Sequence, residues 1–133
     1  MSQQNVETIR GIYDAFARGD IPAIIDQLDA DVAWHSPATL PWGGSERGPD
    51  GALAFFGRLG SAVDELQAET KAFLDAGDHV VVLGTHHGRS KAGTSFEAEW
   101  AMVWKLRDGR IVEFRDYVDT AAVTPAFTAV TAG

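Results

Sequence analysis

Asp116, His87 and Tyr13 are the residues of this chain whose types and settings suit proton transfer. Asp116 lies in Phe114-Arg115-Asp116-Tyr117-Val118, where strand alternation puts Phe114, Asp116 and Val118 on one face and Arg115 and Tyr117 on the other. A carboxyl set among apolar side chains has a raised pKa and can work as an acid or a base. The plainer alternative is an aspartate paired with an arginine or facing water. His87 alternates with Val81, Leu83 and Thr85, which predicts a place on their buried face, with His86 pointing away. A histidine there either shuttles protons near neutral pH or is a hydrogen-bonded core residue. Tyr13 sits at helical spacing with Val6, Ile9 and Phe16, so its hydroxyl reaches either a ligand or the edge of the core. His35 has the opposite parity from Trp34 and Ser36 and is expected on the exterior or the rim.

The candidate walls of a site are aromatic. Residues 34 to 56 carry Trp34, Trp42, Phe55 and Phe56 in a segment broken by three prolines and several glycines. That punctuation forbids one long element, so these rings are expected to line the mouth of a cavity. Trp100, Met102 and Trp104 share one strand parity and are placed with them, as are Phe16, Ser36, Leu59, Phe114 and Val118. For these rings simple core packing is the alternative, and a fully packed interior leaves no site. Such walls suit a flat, apolar, aromatic or polycyclic small molecule held by one or two polar groups. Either of two outcomes would end the enzyme reading: a cavity too small for a few rings, or an Asp116 facing bulk solvent.

Other chemistries find little support. His86 and His87 are adjacent, and neighbouring strand residues face opposite ways, so no metal is expected. Gly43, Gly44, Gly48 and Gly51 do not follow dinucleotide or phosphate-loop spacing, so no cofactor is expected. The net charge of −8 argues against nucleic-acid partners and anionic membrane surfaces. The chain has no cysteine, which removes disulfides and thiol nucleophiles. Without a signal-like or membrane-length apolar run, a soluble, cytoplasmic protein is expected.

The elements that must position these residues follow from periodicity. Residues 4 to 18 predict a helix ending at Gly19, and Asp20 caps a second helix opened by Ile21-Pro22 and carrying Ile24, Ile25 and Leu28. Residues 32 to 36 read as a short strand stopped by Pro37, and residues 37 to 47 as loop. Pro49 and Asp50 open a third helix with Leu53, Phe55, Phe56, Leu59 and Val63. The period then changes to two, predicting strands at 67 to 76, 79 to 89, 94 to 107 and 110 to 119, joined by antiparallel turns. Residues 120 to 133 are expected to form a loose or edge-docking tail. The whole is one α+β domain, residues 1 to 133, with helices on one face of a long sheet. The outer sheet face, with Glu97, Glu99, Ala101, Val103 and Lys105, is either solvated or pairs two subunits, and a homodimer is expected.

Four motifs in order carry a family likeness: Tyr13-x-x-Phe16-x-x-Gly19-Asp20, Asp31-Val32-x-Trp34, Leu40-Pro41-Trp42-x-Gly44, and Gly48-x-x-Gly51-x-x-x-Phe55-Phe56. With the ending 109 to 119, they resemble the SnoaL-like group of the nuclear transport factor 2-like superfamily. The resemblance implies a cone-shaped barrel of strongly curved, antiparallel or mixed sheet with three helices, a deep pocket and usually a dimer. It points Phe114, Asp116 and Val118 inward, and implies that Asp116 acts as the late-strand aspartate of cofactor-independent polyketide cyclases. The superfamily spans isomerases, cyclases, dehydratases, epoxide hydrolases and binding domains, so the fold alone fixes no reaction. The steroid isomerases use a carboxylate base with a tyrosine and a protonated aspartate as donors. Matching this chain to them puts Ser36, Ile12 and Met102 at those three places, so their mechanism does not carry over. An epoxide hydrolase ranks third, because its Asp-Arg-Asp arrangement finds no place in this chain, and two readings lead. One is a cofactor-independent isomerase, cyclase or lyase acting on a hydrophobic carbonyl compound; the other is a non-catalytic binding or dimerisation module.

Overall fold

The computed structural model describes residues 2–127. The first helix, α1 (Ser2–Ala17), buries Ile9, Ile12 and Ala15 along one side and ends at Gly19, whose φ of +73° is the left-handed conformation that stops a helix. Asp20 then caps α2 (Ile21–Ile25), its side chain accepting a hydrogen bond from the Ala23 amide. This helix is shorter than the apolar stripe predicts, because Leu28 opens a strand. Strand β1 (Leu28–Ser36) buries Leu28 beside Ile111. Arg110 donates to the carbonyls of Asp26 and Leu28 at 2.9 and 2.7 Å, fixing the turn that interrupts the helix.

Residues 37 to 47 are not all loop. Two turns close through Leu40 N–H to Pro37 O and Gly43 N–H to Leu40 O, and β2 (Gly44–Arg47) then pairs antiparallel with β1. Helix α3 (Gly48–Ala62) follows, with Pro49 in its first turn. Four strands complete the sheet: β3 (Val63–Ala76), β4 (His79–Ser90), β5 (Ser95–Arg107) and β6 (Arg110–Val118). The β5–β6 hairpin turns through Asp108 and Gly109, both at positive φ, as a two-residue hairpin requires.

The order across the sheet is β2-β1-β6-β5-β4-β3. Every pair is antiparallel except β1 with β6, so the sheet is mixed. It is curved but open, with β2 and β3 at its edges. Helix α1 lies against β3 and β4, and α3 against β1 and β2, so the two cover the inner face. The core fills the space between.

The tail adds a fourth helix, α4 (Thr120–Val123), capped by Asp119, and a 3-10 turn (Thr124–Ala126). Val123 and Ala126 are buried, and Phe127 packs on Trp42 and Phe96, so the tail docks as far as residue 127. Residues 128 to 133 lie outside the described residues. Among the described residues no helix is long and apolar enough to cross a membrane.

Candidate functional site

Trp34 is the hub of the interior. Its ring meets Phe55 and Phe56 of α3, Trp104 of β5 and Phe114 of β6, with centroids 4.2 to 5.8 Å apart. Parity explains the convergence, because β1, β5 and β6 all turn their even-numbered residues inward here. Arg58 on α3 holds the loop before β2, donating to the Trp42 carbonyl at 3.1 Å and to Glu46 Oε2 at 2.8 Å.

A cavity of about 60 Å³ remains among these rings. Phe16, Trp34, Trp42, Phe55, Phe56, Leu59, Met102, Trp104, Phe114 and Val118 line it as expected. Ser36 and Trp100 are buried but are not on its wall. Ile12, Ile24, Leu40, Leu66 and Ala68 complete the wall. Ligand pockets begin at roughly 300 Å³, so a polycyclic guest does not fit this interior as it stands. The rings filling the space are the protein's own. The first of the two outcomes is therefore met for a ligand of several rings, and an enzyme reading survives only for a compact one.

The second is not. Asp116 lines the cavity and is 8% exposed. Burial pushes its carboxyl up to about 7 from an ordinary 3.8, and Oδ1 has no hydrogen-bond partner among the described residues. Its pairing partner is Met102, and Met102 Sδ lies 2.9 Å from the Tyr13 hydroxyl. Trp104 Nε1–H donates to that hydroxyl at 3.0 Å, leaving the tyrosine proton directed at the thioether, a weak acceptor. Burial raises the Tyr13 pKa well above its usual value, opposed by the Trp104 bond and reinforced by the charge of Asp116. Tyr13 thus stays protonated, as a donor must. Its ring also stacks on Trp100 at 5.7 Å, almost parallel.

The expected parity of β4 is reversed. His86 is buried and lines the cavity, whereas His87 stands half-buried on the outer face between Glu69 (2.8 Å) and Glu97 (2.9 Å). His87 is therefore not a cavity residue. The strand carries aliphatic side chains on both faces, Val80 and Val82 inward and Val81 and Leu83 outward, so alternation alone does not distinguish them. The usable signal is glycine. Gly84 and Gly88 flank His86 on the inner face, where the Trp100 ring lies over Gly84 and the Phe96 ring over Gly88, each occupying the space a Cβ would need. His86 is 8% exposed, and burial pushes its ring down to about 4 from 6.5 despite a hydrogen bond to the Gln67 backbone. Its Nδ1 has no partner among the described residues.

Tyr13, Phe16, Leu66 and Ala68 belong both to this cavity and to an open groove of about 940 Å³, lined further by Gln67, Gly88, Arg89 and Phe96. They form a neck between the two. Ala68 pairs with His86, so the histidine stands at the neck. Asp116 pairs with Met102, four positions along β5 from Ala98, the partner of His86. His35 is on the outer side, bonded to Ser45 at 2.9 Å.

The profile of the SnoaL-like domain matches residues 9–114. The chain belongs to the SnoaL-like family. This SnoaL-like chain is similar over its length to a nuclear transport factor 2-like protein of unknown function from Burkholderia pseudomallei, with 33% identity, coverage of 95% of this chain and 98% of that one, and a TM-score of 0.90. TerC, crystallised with polyporic acid, is 28% identical, with 92% and 97% of the two chains covered and a TM-score of 0.85. An uncharacterised protein of Mycobacterium tuberculosis is 26% identical over 126 residues, 94% of this chain and 96% of its own. The SnoaL-like match ends two residues before Asp116, so the case for that carboxyl rests on its surroundings in this chain.

Proposed function

We propose that this SnoaL-like protein binds a compact hydrophobic carbonyl compound and moves a proton on it without a cofactor, as an isomerase, cyclase or lyase. One observation carries the reading: a buried carboxyl with a free Oδ1, titrating near 7, in a cavity walled by aromatics. As a carboxylate, Asp116 takes the proton from the carbon next to the carbonyl. The Tyr13 hydroxyl exchanges its contact with Met102 for the oxygen on which charge develops, and Trp104 steadies it. The proton then returns from Asp116 to the carbon skeleton, leaving the enzyme unchanged. The likeness to TerC, which was crystallised with polyporic acid, supports a small-molecule ligand for this fold. The limited volume restricts the inserted part to a small head, with the remainder in the neck and groove.

The test is deuterium uptake from heavy water at the carbon next to the carbonyl of cyclopentanone, followed by NMR. The wild type is expected to accelerate uptake over buffer, and Asp116→Asn to lose about 100-fold of that acceleration. The cavity of only about 60 Å³ favours a second reading, a non-catalytic binding module, for which cyclopentanone binds with no acceleration in either protein.

We also propose that the outer sheet face joins two copies. Leu83, Ala101 and Tyr117 pair in one row across β4, β5 and β6, and Leu74, Val81 and Val103 lie in the adjoining row. Leu83 is 39% and Tyr117 56% exposed, an apolar stripe of the kind that marks an interface.

A further inference from the structure

We propose that His86 is a specificity-determining residue: at the neck of the cavity its Nδ1 accepts a hydrogen bond from a hydroxyl group of the ligand, selecting phenolic or enolic compounds over their deoxy analogues. The inference rests on the cavity being the ligand site, but not on Asp116 performing chemistry there.

Three features of the ring support it. His86 is buried, lines the cavity and leaves Nδ1 without a partner, a costly arrangement for a polar atom unless a ligand supplies a donor. The hydrogen bond to the Gln67 backbone raises the ring's basicity, as a carbonyl accepting from a ring N–H does. With Nδ1 unpartnered, that donor is Nε2, which puts the lone pair on Nδ1. Burial keeps the ring neutral through the physiological range, so the acceptor is always available. Trp100, with its ring centroid 5.3 Å away, holds the ring plane, while Gly84 and Gly88 keep the strand on either side free of side chains.

The register sets the ligand's polarity. His86 is opposite Ala98 and Asp116 is opposite Met102 on the same strand, four residues or ~13 Å of backbone further on. A ligand whose hydroxyl meets His86 therefore has its carbonyl end toward Asp116. A site built to satisfy a hydroxyl rejects the analogue lacking it, because its own polar atom is then left unpaired.

The probes are p-cresol and toluene, which differ only in the hydroxyl, titrated against tryptophan fluorescence. The wild type is expected to prefer p-cresol by about tenfold beyond the intrinsic difference measured with His86→Phe. His86→Gln, which keeps a carbonyl acceptor, is expected to retain most of the preference. An unchanged preference in His86→Phe overturns the proposal. So does its loss in Asp116→Asn, which assigns the hydroxyl to the carboxyl, and so does failure of both probes to bind the wild type. A reading in the intact protein needs no variant: ¹⁵N NMR of the His86 ring is expected to show the Nδ1 resonance moving on addition of p-cresol and not of toluene. A static resonance under saturating p-cresol overturns the assignment. Absent deuterium uptake with an intact p-cresol preference would remove the catalytic reading alone.

Discussion

Asp116 and His86 make opposing contributions to the pH dependence of stability. The raised pKa of Asp116 gives stability that is full below pH 3.8 and is lost as pH climbs through about 7. The lowered pKa of His86 gives stability that is full above pH 6.5 and is lost as pH falls through about 4. Each slope is about 1.4 kcal/mol per pH unit, so between roughly pH 4 and 6.5 they offset each other. Removing either group unmasks the other. In urea unfolding across that range, Asp116→Asn is expected to gain stability with rising pH and His86→Gln to lose it. Parallel profiles for both variants and the wild type would dismiss the opposing pair. Asp116 was legible in the sequence because Phe114 and Val118 flank it at two-residue spacing while Arg115 and Tyr117 take the other face. His86 was not, because its strand offers two aliphatic faces, and the choice depends on rings from β5 leaning over Gly84 and Gly88.

The inner face of β4 works through what it lacks. A methyl group at Gly84 would collide with both the Trp100 ring and the Glu69 carbonyl, and backbone cannot yield as a side chain end can. Gly84→Ala is expected to cost roughly 1–3 kcal/mol in urea unfolding, with a changed tryptophan emission as Trp100 is displaced. An unaltered midpoint and spectrum would show that the strand relaxes freely. The long elements were readable because each repeats one period over nine or more residues, as α1, α3 and the strands from β3 to β6 do. The short ones were not: β2 has four residues with no fully buried position, and α2 stops at Ile25 because Leu28 is claimed by a partner strand distant in sequence.

At the scale of the whole molecule, the helices-then-sheet order and the four aromatic motifs made the fold class legible, whereas the free volume inside was not. How many rings a curved sheet encloses follows from periodicity; how tightly Trp34, Phe55, Trp104 and Phe114 interlock does not. The outer stripe leads to an expected dimer by sedimentation, with Tyr117→Glu shifting it to monomer while circular dichroism stays unchanged. A monomeric wild type at micromolar concentration would remove that proposal. The one parallel pairing, β1 with β6, has a consequence in time. Strands β3 to β6 join neighbours through short turns, but Ala33 must find Glu113 about 80 residues further along the chain, and closing so long a loop slows assembly. The cavity has Trp34 from one side of that seam and Phe114 and Asp116 from the other, so it is expected to be the last part to form. In refolding, the Trp34 environment should mature after the amides of β4 and β5 gain protection from exchange; simultaneous gain would refute this order. A chain emerging from the ribosome is then expected to lack this cavity until its C-terminal strand is released.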